Sequence, residues 1–523
     1  MSGAGIRWGL PGVPIAPPLP GADDFCTTPL LDLLRASAER APDAIALTGQ
    51  TGHLRYADLL RLILNAAASV AALVPPGGSV ACVLPRTPEA MAGLIGCLVS
   101  GRPCLIVDPA APAERLAGLL EDAAPTAAMV NEPLPFRPAM PVLMLADALE
   151  GPGQTWRPDV LWDPDAPCAI HFTSGSTGRP KGIALSARSV LYRGLHGAVS
   201  QRWVADDRIY TQAIPAGSNG LSTLLAALAK GARLVLSHLP SEGASAVLRL
   251  FEREALTVAI APSTIFRMLF PLRRSTAAFG ALRLVRIGAG SLPKTDLAAW
   301  RAALPRDCAI QHTYASTEAL VVAQWFVPPG DEAAEPVLAA GMLQPTHDHA
   351  ILDEDGDPVA PGETGELVLR SRYLALGEWR GGTLVPGAMV PAPGYPGSRV
   401  FRTGDLVRIR KDGLLCVVGR ADRQVKINGV RIEPEEIEAV LRADPRVAEA
   451  AIVAITGTAG VTLHAFVAAK DGDRADLVAV LRQRLAAALP AVSRPASLTV
   501  LDRLPALPGG KIDLIALSNW PRH

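Results

Sequence analysis

The sequence predicts an α/β protein, with a large N-terminal body of helix-wrapped sheets, an antiparallel β addition and a small mobile C-terminal α+β domain. Helix-like periodicity alternates with short apolar runs in the first part of the chain, as it does in parallel sheets covered by helices. After Gly365, strand-like segments follow one another with a tight turn between two of them, which is typical of antiparallel strands. The length of 523 residues also exceeds that of one ordinary domain.

The α/β alternation first runs from about residue 28 to residue 160. Helices are predicted at Leu30–Glu39, Tyr56–Leu73 and Pro88–Ser100, and buried strands at Ser79–Leu84 and Pro103–Val107. The same alternation returns later. Buried strands are predicted at Thr257–Ala261 and Leu282–Ile287, and Ser291-Leu292-Pro293 indicates the start of a helix.

The last part of the chain has a different pattern of predicted strands and helices. Strands are predicted at GELVLRS, DLVRIR and LLCVVG, and Lys411-Asp412-Gly413 forms the turn between the last two. A helix after Pro434, the strands AEAAIVAI and TLHAFVAA, a helix around Ala475–Leu489 and a strand near Leu498–Leu501 follow. We therefore expect a flexible leader over residues 1–27, a large domain over 28–420 and a small domain over 421–523, without internal repeats.

The composition excludes several classes of protein. Lys plus Arg and Asp plus Glu both number 50, so no polyanion-binding surface for nucleic acid is expected. The seven cysteines are scattered without a C-x-x-C pair, which argues against a disulfide framework or a thiolate zinc site. Apolar stretches such as Met91–Val99 and Leu221–Val235 are short or interrupted, and the N-terminus lacks the apolar run of a signal peptide. We expect no membrane insertion and a cytoplasmic location.

Residues 169–182, AIHFTSGSTGRPKG, form an apolar strand followed by a loop of hydroxyl and glycine residues that ends in a lysine. Backbone N–H groups, hydroxyls and one ammonium group can surround a polyphosphate. The spacing differs from the Walker A pattern, and a generic Ser/Gly linker is the alternative. The predicted phosphate ligands are Thr173, Ser174, Gly175, Ser176, Thr177, Gly178 and Lys181.

The segment TSGSTGRPKG resembles the most specific signature of the adenylate-forming superfamily, which includes acyl-CoA ligases, luciferases and the adenylation domains of nonribosomal peptide synthetases. The resemblance extends from APDAIAL (41–47) to the segment around Lys511, and DPAAPAERLAGLLEDA (108–123) is more similar to the peptide-synthetase branch. It implies a reaction with ATP and Mg²⁺ in which a carboxylic acid becomes an acyl-AMP, pyrophosphate leaves, and a thiol then takes the acyl group.

A second signature is His312-Thr313-Tyr314-Ala315-Ser316-Thr317-Glu318. An aromatic ring, a hydroxyl and a carboxylate suit the adenine, the α-phosphate and the Mg²⁺ of a nucleoside triphosphate. The resemblance assigns these roles to Tyr314, Thr317 and Glu318 in that order, with Thr317 and Glu318 also counted as catalytic. His312, Thr313, Ala315 and Ser316 are placed in the nucleotide site. Taken alone, a Thr-Glu pair after a strand is more often an ordinary helix N-terminus.

Three further segments resemble family motifs around the nucleotide. Gly288-Ala289-Gly290 would line the adenine and the acyl pocket, with a plain strand-to-helix turn as the alternative. Asp405 in FRTGD would bind the ribose diol, since a carboxylate accepts two hydrogen bonds. Arg420 would reach the ribose or phosphate, and Asp422 would be the hinge on which the small domain rotates between the two half-reactions. Without the resemblance, that stretch is a charged linker.

The last signature is LPGGKID, which contains Lys511. A lysine on a glycine-rich loop of a mobile domain can neutralise charge between the acid's carboxylate and the α-phosphate. Lys511 is therefore the main predicted catalytic residue. The sequence departs from the family at Leu514, where peptide-synthetase relatives usually carry Arg, and we expect a weaker local tether there.

The predicted substrate pocket lacks an acid. Relatives that activate α-amino acids usually place Asp about a dozen residues before a GARLVL-like segment, but Ala213–Gly220 contains none. A buried ammonium without a counter-charge is costly, so we expect an aryl, acyl, hydroxy or keto acid without an ordinary α-amino group. Asn219 or Ser218 would hold a polar substituent, with a plain loop role as the alternative. The predicted pocket residues are Ala216, Ser218, Asn219, Ile260, Ile287, Ala289, Val321 and Val322.

Three functions follow from the resemblance. The first is a stand-alone adenylating enzyme that loads a separate carrier protein, since no carrier segment follows Lys511 in the sequence. The second is an acyl-CoA or aryl-CoA ligase, which differs only in its thiol. The third is a catalytically silent nucleotide-binding or scaffold protein, which the presence of Lys181, Thr317, Glu318, Asp405 and Lys511 disfavours. Luciferase-like oxidation has no support beyond fold analogy.

Overall fold

The computed structural model describes Trp8 and residues 22–50, 52–151, 153–173, 180–237, 242–272, 276–288, 292, 294–328, 338–421, 423–457, 460–469, 476–505 and 512–521. Contacts divide the chain into two compact units. The first comprises Met1–Asp108, Ala123–Phe172 and Gly182–Ala421, and the second comprises Pro109–Asp122, Thr173–Lys181 and Asp422–His523. The second unit thus takes in two earlier segments that the sequence analysis did not assign to the small domain.

Fourteen α-helices lie in the described part of the chain. They are α1 (Ala22–Thr27), α2 (Leu30–Arg40), α3 (Tyr56–Leu73), α4 (Pro88–Val99), α5 (Ala113–Ala123), α6 (Leu145–Leu149), α7 (Ala187–Ser200), α8 (Ser218–Ala229), α9 (Ala244–Arg253), α10 (Ser263–Leu269), α11 (Lys294–Arg301), α12 (Pro434–Arg442), α13 (Leu477–Ala488) and α14 (Leu514–Ser518).

The strands of the first unit are β1 (Ile45–Gly49), β2 (Gly52–Arg55), β3 (Val80–Val83), β4 (Cys104–Val107), β5 (Ala127–Val130), β6 (Val142–Met144), β7 (Pro167–Thr173), β8 (Lys181–Ser186), β9 (Arg208–Thr211), β10 (Arg233–Val235), β11 (Val258–Ala261), β12 (Leu284–Ile287), β13 (Ala309–Ser316), β14 (Leu320–Phe326), β15 (Met342–Leu343), β16 (Asp348–Leu352), β17 (Gly365–Ser371), β18 (Gly377–Arg380), β19 (Thr383–Val385), β20 (Met389–Pro391), β21 (Arg399–Ile409) and β22 (Leu415–Arg420). Thr173 and Lys181, at the ends of β7 and β8, belong to the second unit. The remaining strands are β23 (Val425–Ile427), β24 (Val430–Ile432), β25 (Val447–Gly457), β26 (Gly460–Ala469) and β27 (Ser497–Leu501).

Two large sheets form the first unit. One has nine strands in the order β15-β14-β13-β12-β11-β9-β10-β1-β2, and the other has eight in the order β19-β18-β8-β7-β4-β3-β5-β6. The central strands β9 to β13 are parallel, as are β3, β4, β5 and β7. Short strands such as β3 and β11 are buried along their whole length, as expected where a sheet is covered on both faces. The predicted α/β body is confirmed.

The predicted helices of the body are also confirmed, with ends shifted by one residue at most. At the start of α4, the Thr87 side chain accepts a hydrogen bond from Ala90 N and Pro88 occupies the first turn, so the sequence carries both a cap and a favourable proline. The helix begins where these two signals predict.

Helix α3 is long and apolar enough to cross a membrane by length and composition, which the sequence analysis did not single out. In the fold, its Tyr56 hydroxyl donates to Ala232 O (2.7 Å). The Asn65 side chain donates to Leu149 O (2.6 Å) and accepts from Gly153 N (2.9 Å). Such contacts are those of a core helix, which passes the same test of length and composition.

The antiparallel addition is a five-stranded sheet of β16, β17, β21, β20 and β22. Gly413 has φ +82°, which a glycine adopts without strain, and it lies in the turn that joins β21 to β22. The predicted hairpin is confirmed. Strand β21 is longer than the predicted segment DLVRIR, because it also includes the FRTGD residues that the sequence analysis treated only as a motif.

The second unit has its own core. The antiparallel strands β25 and β26 pair along ten positions, and β27 joins β26 in parallel. Buried side chains of α12, α13 and these strands, including Ile437, Leu441, Ile452, Leu463 and Leu481, form one apolar cluster. The small α+β fold is therefore confirmed for residues 423–521 as far as the structure describes them.

The expected flexible leader differs from the structure at two places. Residues 22–27 form α1, and Cys26 in this helix is fully buried. Further upstream, Trp8 packs on an apolar cluster that contains Val368 and Val400, and the Arg370 guanidinium lies 4.5 Å from the centre of its ring. These described parts of residues 1–27 make contacts of the first unit.

Candidate active site

The motif His312–Glu318 lies on β13 and the turn that leads into β14. His312 Nδ1 donates to Ala339 O (2.9 Å), and Thr313 Oγ1 donates to Ile287 O (3.3 Å). The Ser316 hydroxyl oxygen accepts from Ala319 N (3.0 Å) and holds the turn. Thr317 and Glu318 therefore occupy a turn between antiparallel strands and not the helix N-terminus that was the alternative.

Three motifs that are distant in sequence meet at Asp405. The Tyr314 hydroxyl donates to Asp405 Oδ2, and Arg420 Nη1 donates to Asp405 Oδ1 (2.9 Å) and to Thr403 O (2.8 Å). Burial, followed by the negative charge of Asp405, raises the pKa of Tyr314 well above its usual value. The proposed adenine, ribose and ribose-phosphate ligands thus form one hydrogen-bonded network, which we call the Asp405 network.

The backbone around Asp405 explains how the sequence fixes this carboxylate. Gly404 has φ +69°, and its N–H donates to Glu366 Oε1 (3.1 Å). The Thr403 hydroxyl donates to Leu367 O (2.8 Å) and accepts from Asp405 N (3.0 Å). The Thr-Gly-Asp sequence therefore supplies a polar tether and a left-handed residue where β17 and β21 change register.

The predicted pocket segment ends at the first turn of α8. Ser218 Oγ donates to Thr317 Oγ1 (3.4 Å), which joins the predicted pocket to the predicted phosphate ligand. Ala216 O accepts a hydrogen bond from His171 Nδ1 (2.9 Å), so the neutral His171 ring presents Nε2 as an acceptor. Burial and, to a smaller extent, nearby Arg193 lower the pKa of His171 to about 4, while the hydrogen bond to Ala216 O acts in the opposite direction.

Two buried arginines, which were not among the predicted site residues, lie beside these residues. Arg286 Nη2 donates to Asn219 Oδ1 (2.5 Å), and Arg193 Nη1 donates to Ser316 O (2.8 Å). Burial lowers the pKa of Arg286 to about 10. Burial and the positive charge of Arg286 lower the pKa of Arg193 to about 9, while the negative charge of Glu318 acts in the opposite direction. The signal that could have found Arg286 is an arginine inside the apolar strand LVRI.

The apolar residues predicted to line the pocket do not lie on a single face of the nine-stranded sheet. Ile260 pairs in register with Arg286, so their side chains share one face of the nine-stranded sheet. Ile287 follows Arg286 on β12 and belongs to the apolar cluster of the other face. Val321 and Val322 are consecutive on β14 and point to opposite faces. Their roles in a pocket remain predictions.

Several predicted residues lie outside the described part of the chain. They are Ser174, Gly175, Ser176, Thr177, Gly178, Ala289, Gly290, Asp422 and Lys511. Thr173 ends β7 and Lys181 begins β8, which are neighbours in the eight-stranded sheet. Gly288 is described, and a Cβ at this position would lie 3.0 Å from Thr313 Oγ1.

Glu318 is the predicted metal ligand, and its side chain is buried. Among the residues that the structure describes, no group of three or more His, Cys, Asp or Glu side chains could hold a metal ion alone. Mg²⁺ bound with a nucleotide typically uses one or two carboxylates and the phosphates of the substrate. A single carboxylate at Glu318 therefore fits Mg²⁺ delivered as MgATP, with Arg193 as its cationic neighbour.

Comparison with known protein families decides the classification. Residues 34–379 match the family described as AMP-binding enzyme, and residues 436–511 match the AMP-binding enzyme C-terminal domain. The chain belongs to the AMP-binding enzyme family. The resemblance stated from the sequence is thereby confirmed, and the two matched ranges cover most of the described α/β body and of the small α+β fold.

Members of the AMP-binding family that resemble this chain include parts of larger proteins. The chain is 32% identical over 507 residues to the dimodular nonribosomal peptide synthase of Bacillus subtilis (strain 168), an alignment that covers 93% of this chain and 21% of that protein. It therefore spans about a fifth of the length of that relative. It is 31% identical over 480 residues to novobiocin biosynthesis protein H of Streptomyces niveus, covering 88% of this chain and 76% of that protein.

A solved structure shows the same fold. A double mutant of o-succinylbenzoate CoA synthetase from Bacillus subtilis superimposes with a TM-score of 0.79 at 21% sequence identity, and the match covers 93% of this chain and 98% of that one. The AMP-binding fold is thus shared by proteins named for peptide synthesis and for CoA ligation.

Proposed function

We propose that this chain activates a carboxylic acid with ATP, forming an acyl-AMP and releasing pyrophosphate, and then transfers the acyl group to the phosphopantetheine thiol of a free-standing carrier protein. The observation that carries the proposal is the Asp405 network, in which Tyr314, Asp405 and Arg420 meet although more than 100 residues separate the first from the last. A carboxylate held between a phenol and a guanidinium is suited to a ribose diol beside an aromatic base.

The proposed reaction has two balanced steps. A carboxylate oxygen of the acid attacks the α-phosphorus of ATP, and the bond to the bridging oxygen breaks as pyrophosphate leaves. A thiol then attacks the acyl carbon, loses its proton, and AMP leaves with the former carboxylate oxygen. Both steps require positioning and charge neutralisation more than a general base.

We assign the charge neutralisation to residues that the resemblance to the family names. Thr317 would donate to the α-phosphate, Lys181 and Lys511 would neutralise the phosphates and the attacking carboxylate, and Asp422 would be the hinge between the two half-reactions. Mg²⁺ bound with ATP would neutralise the phosphate oxygens, with Glu318 as its protein ligand. The family membership and the side-chain chemistry support these roles.

The substrate is proposed to lack an ordinary α-amino group. The segment of β9 and α8 that contains Ser218 and Asn219 carries no acid, while Arg286 places a guanidinium directly on Asn219. An ammonium group beside this cation would be repelled, and burial would add a desolvation cost. The charge of the described side chains here therefore favours an acid without an α-ammonium.

Pyrophosphate exchange tests the first half-reaction. We expect acid-dependent exchange of pyrophosphate into ATP with acids that lack an α-amine, and little exchange with their α-amino counterparts. Asp405→Asn should weaken exchange by at least about tenfold, the factor that corresponds to loss of one charged hydrogen bond. Asp348→Asn is the matched control, because its carboxylate pairs with Arg370 outside the Asp405 network. No exchange with any acid despite ATP binding would favour the silent nucleotide-binding protein.

The second candidate function is an acyl-CoA or aryl-CoA ligase, which the fold shared with a CoA synthetase favours. Preformed acyl-AMP should be offered separately to CoA and to candidate carrier proteins that bear phosphopantetheine. Transfer to a carrier protein is the expected result. Efficient turnover with CoA alone would identify CoA, not a carrier protein, as the acceptor, and the proposed adenylation step would still stand.

A further inference from the structure

Arg286 is a buried cation that has no acidic partner in the part of the chain that the structure describes. Its side chain is only 5% exposed, and its one described hydrogen bond is to Asn219 Oδ1. Arg286 Nε has no hydrogen-bond partner among the described residues. A Cβ placed on Gly197 would lie 3.5 Å from Arg286 Nη1, so the guanidinium lies close against α7. A buried charge is normally paired, and an unpaired one is kept at a cost in stability.

The other buried arginines show what a structural role looks like in this fold. Arg102, which is 1% exposed, donates to Val74 O, Ser100 O and both carboxylate oxygens of Asp159. Arg188 likewise makes two hydrogen bonds to Asp165. Among the described residues, Arg286 has neither an acid nor a main-chain carbonyl as a partner, and packing alone does not require a cation at its position.

The neighbouring charges do not neutralise Arg286. Arg193 adds a second guanidinium, and the repulsion between the two arginines lowers the pKa of Arg193. The negative charge of Glu318 raises the pKa of Arg193. His171 and His196 are close enough to these cations to have their pKa values lowered, and burial lowers both to about 4, which leaves the rings neutral at neutral pH. The described groups around Arg286 therefore carry an excess of positive charge.

Two further buried polar atoms that lack described partners belong to Arg193 and to the helix that carries Asn219. Arg193 Nε and Ser222 Oγ are buried without hydrogen-bond partners among the described residues. Ser222 lies one helical turn beyond Asn219 on α8, so the two side chains share a face of that helix. Buried donors without partners are uncommon in a folded protein, and a bound molecule with acceptor oxygens would satisfy them.

The location connects this cation to the proposed acyl site. Asn219 follows Ser218, whose hydroxyl contacts Thr317, and Ile260, a predicted pocket residue, is the register partner of Arg286. Thr317 and Arg286 thus contact adjacent residues at the start of α8, so a molecule whose carboxylate lies near Thr317 can reach Arg286 along this turn.

We propose that Arg286 and Asn219 form a subsite for a second carboxylate of the acid that is activated, so that the substrate class is a dicarboxylic acid adenylated at one end. Arg193 adds to the positive potential of this subsite, and Ser222 offers a further hydroxyl. The inference rests on the proposed function, because the first carboxylate is placed by the adenylation site.

The test is a comparison of paired acids in the pyrophosphate-exchange assay. The pairs are succinate and butyrate, glutarate and valerate, and terephthalate and para-toluate, in which a methyl group replaces one carboxylate. We expect at least one dicarboxylate to exceed its partner in kcat/KM by about 10- to 150-fold, the range for a hydrogen bond to a charged group. Arg286→Gln should reduce this ratio to within about threefold, and Arg286→Lys should retain part of it.

Arg301→Gln is the matched control. Its described hydrogen bonds go to the main-chain oxygens of Cys308 and Val327, so this substitution should leave the ratio unchanged. Thermal unfolding with and without the dicarboxylate provides a second reading: the acid should raise the midpoint of the wild type more than that of Arg286→Lys. Exchange by the wild type with equal kcat/KM for both members of every pair would overturn the subsite and leave adenylation standing. Absence of exchange with these acids and with the broader acid panel would refute the proposed function itself.

Discussion

Replacing Arg286 by methionine should leave the stability of the ligand-free protein unchanged or raise it slightly. Burial lowers the pKa of Arg286 from 12.5 to about 10, and at about 1.36 kcal/mol for each pKa unit this corresponds to a cost of about 3 kcal/mol for keeping the charge in the fold. Methionine removes that cost and fills a similar volume. It also loses the hydrogen bond to Asn219, worth about 1.5 to 3 kcal/mol, so the net change lies between zero and about 1.5 kcal/mol of stabilisation.

The same substitution at Arg102 should have the opposite result. Arg102→Met removes the ion pair with Asp159 and leaves the carbonyl oxygens of Val74 and Ser100 without this donor. At about 1 to 3 kcal/mol for each buried acceptor, the two carbonyls alone should cost about 2 to 6 kcal/mol. Urea unfolding of the wild type and both variants without ligand measures the difference. If Arg286→Met lost as much stability as Arg102→Met, Arg286 would be a structural arginine and the reasoning about its missing partner would be refuted.

Three further predictions concern the nucleotide, the acid and pH. Asp405→Asn should weaken AMP binding, measured by calorimetry, by at least about tenfold, because Asp405 loses its charge beside Arg420. Lys511→Ala should suppress acyl-AMP formation by at least about a hundredfold through loss of a charge-stabilising group. His171 and His196 have pKa values lowered from 6.5 to about 4, so the unfolded chain binds more protons between these values and stability should fall as pH drops from 6.5 to 4.

Each of these predictions has a control. For Asp405, unchanged AMP affinity in Asp405→Asn would remove the ribose role, and Asp348→Asn should bind AMP like the wild type. Pyrophosphate exchange at the wild-type rate in Lys511→Ala would refute the role of that lysine. Each of the two histidines should lower the free energy of unfolding by up to about 3 kcal/mol as the pH drops from 6.5 to 4. A variant His196→Gln should show a shallower dependence of the unfolding free energy on pH, and an unchanged slope would contradict the buried neutral ring.

Much of the fold followed from local signals in the sequence. Helix α4 carries its cap at Thr87 and its proline at Pro88, and buried strands such as β3 and β11 are short apolar runs of the kind found in sheets that are covered on both faces. The length of β21 was not predicted, because the polar residues of its FRTGD segment are not typical of a strand. This part of β21 pairs with β17, which the local sequence does not indicate.

Some residues of the site could be predicted from the sequence, but their contacts could not. The residues of the Asp405 network could be named from their chemistry and the resemblance, but the sequence could not show that Tyr314 donates to Asp405, since 91 residues separate them. Arg286 was passed over because a strand of four residues gives no indication of which side chains from α7 and α8 cover it. Whether a buried arginine has a partner depends on contacts that only the folded chain brings together.

The central claim is that the carboxylate oxygen of an acid becomes bonded to the α-phosphorus of ATP. The most direct measurement uses an acid labelled with oxygen-18 in its carboxylate, with hydroxylamine as the acceptor, and mass spectrometry of the nucleotide product. The account predicts AMP that carries one labelled oxygen, together with unlabelled pyrophosphate. Formation of unlabelled AMP, or of ADP and labelled phosphate, would contradict it.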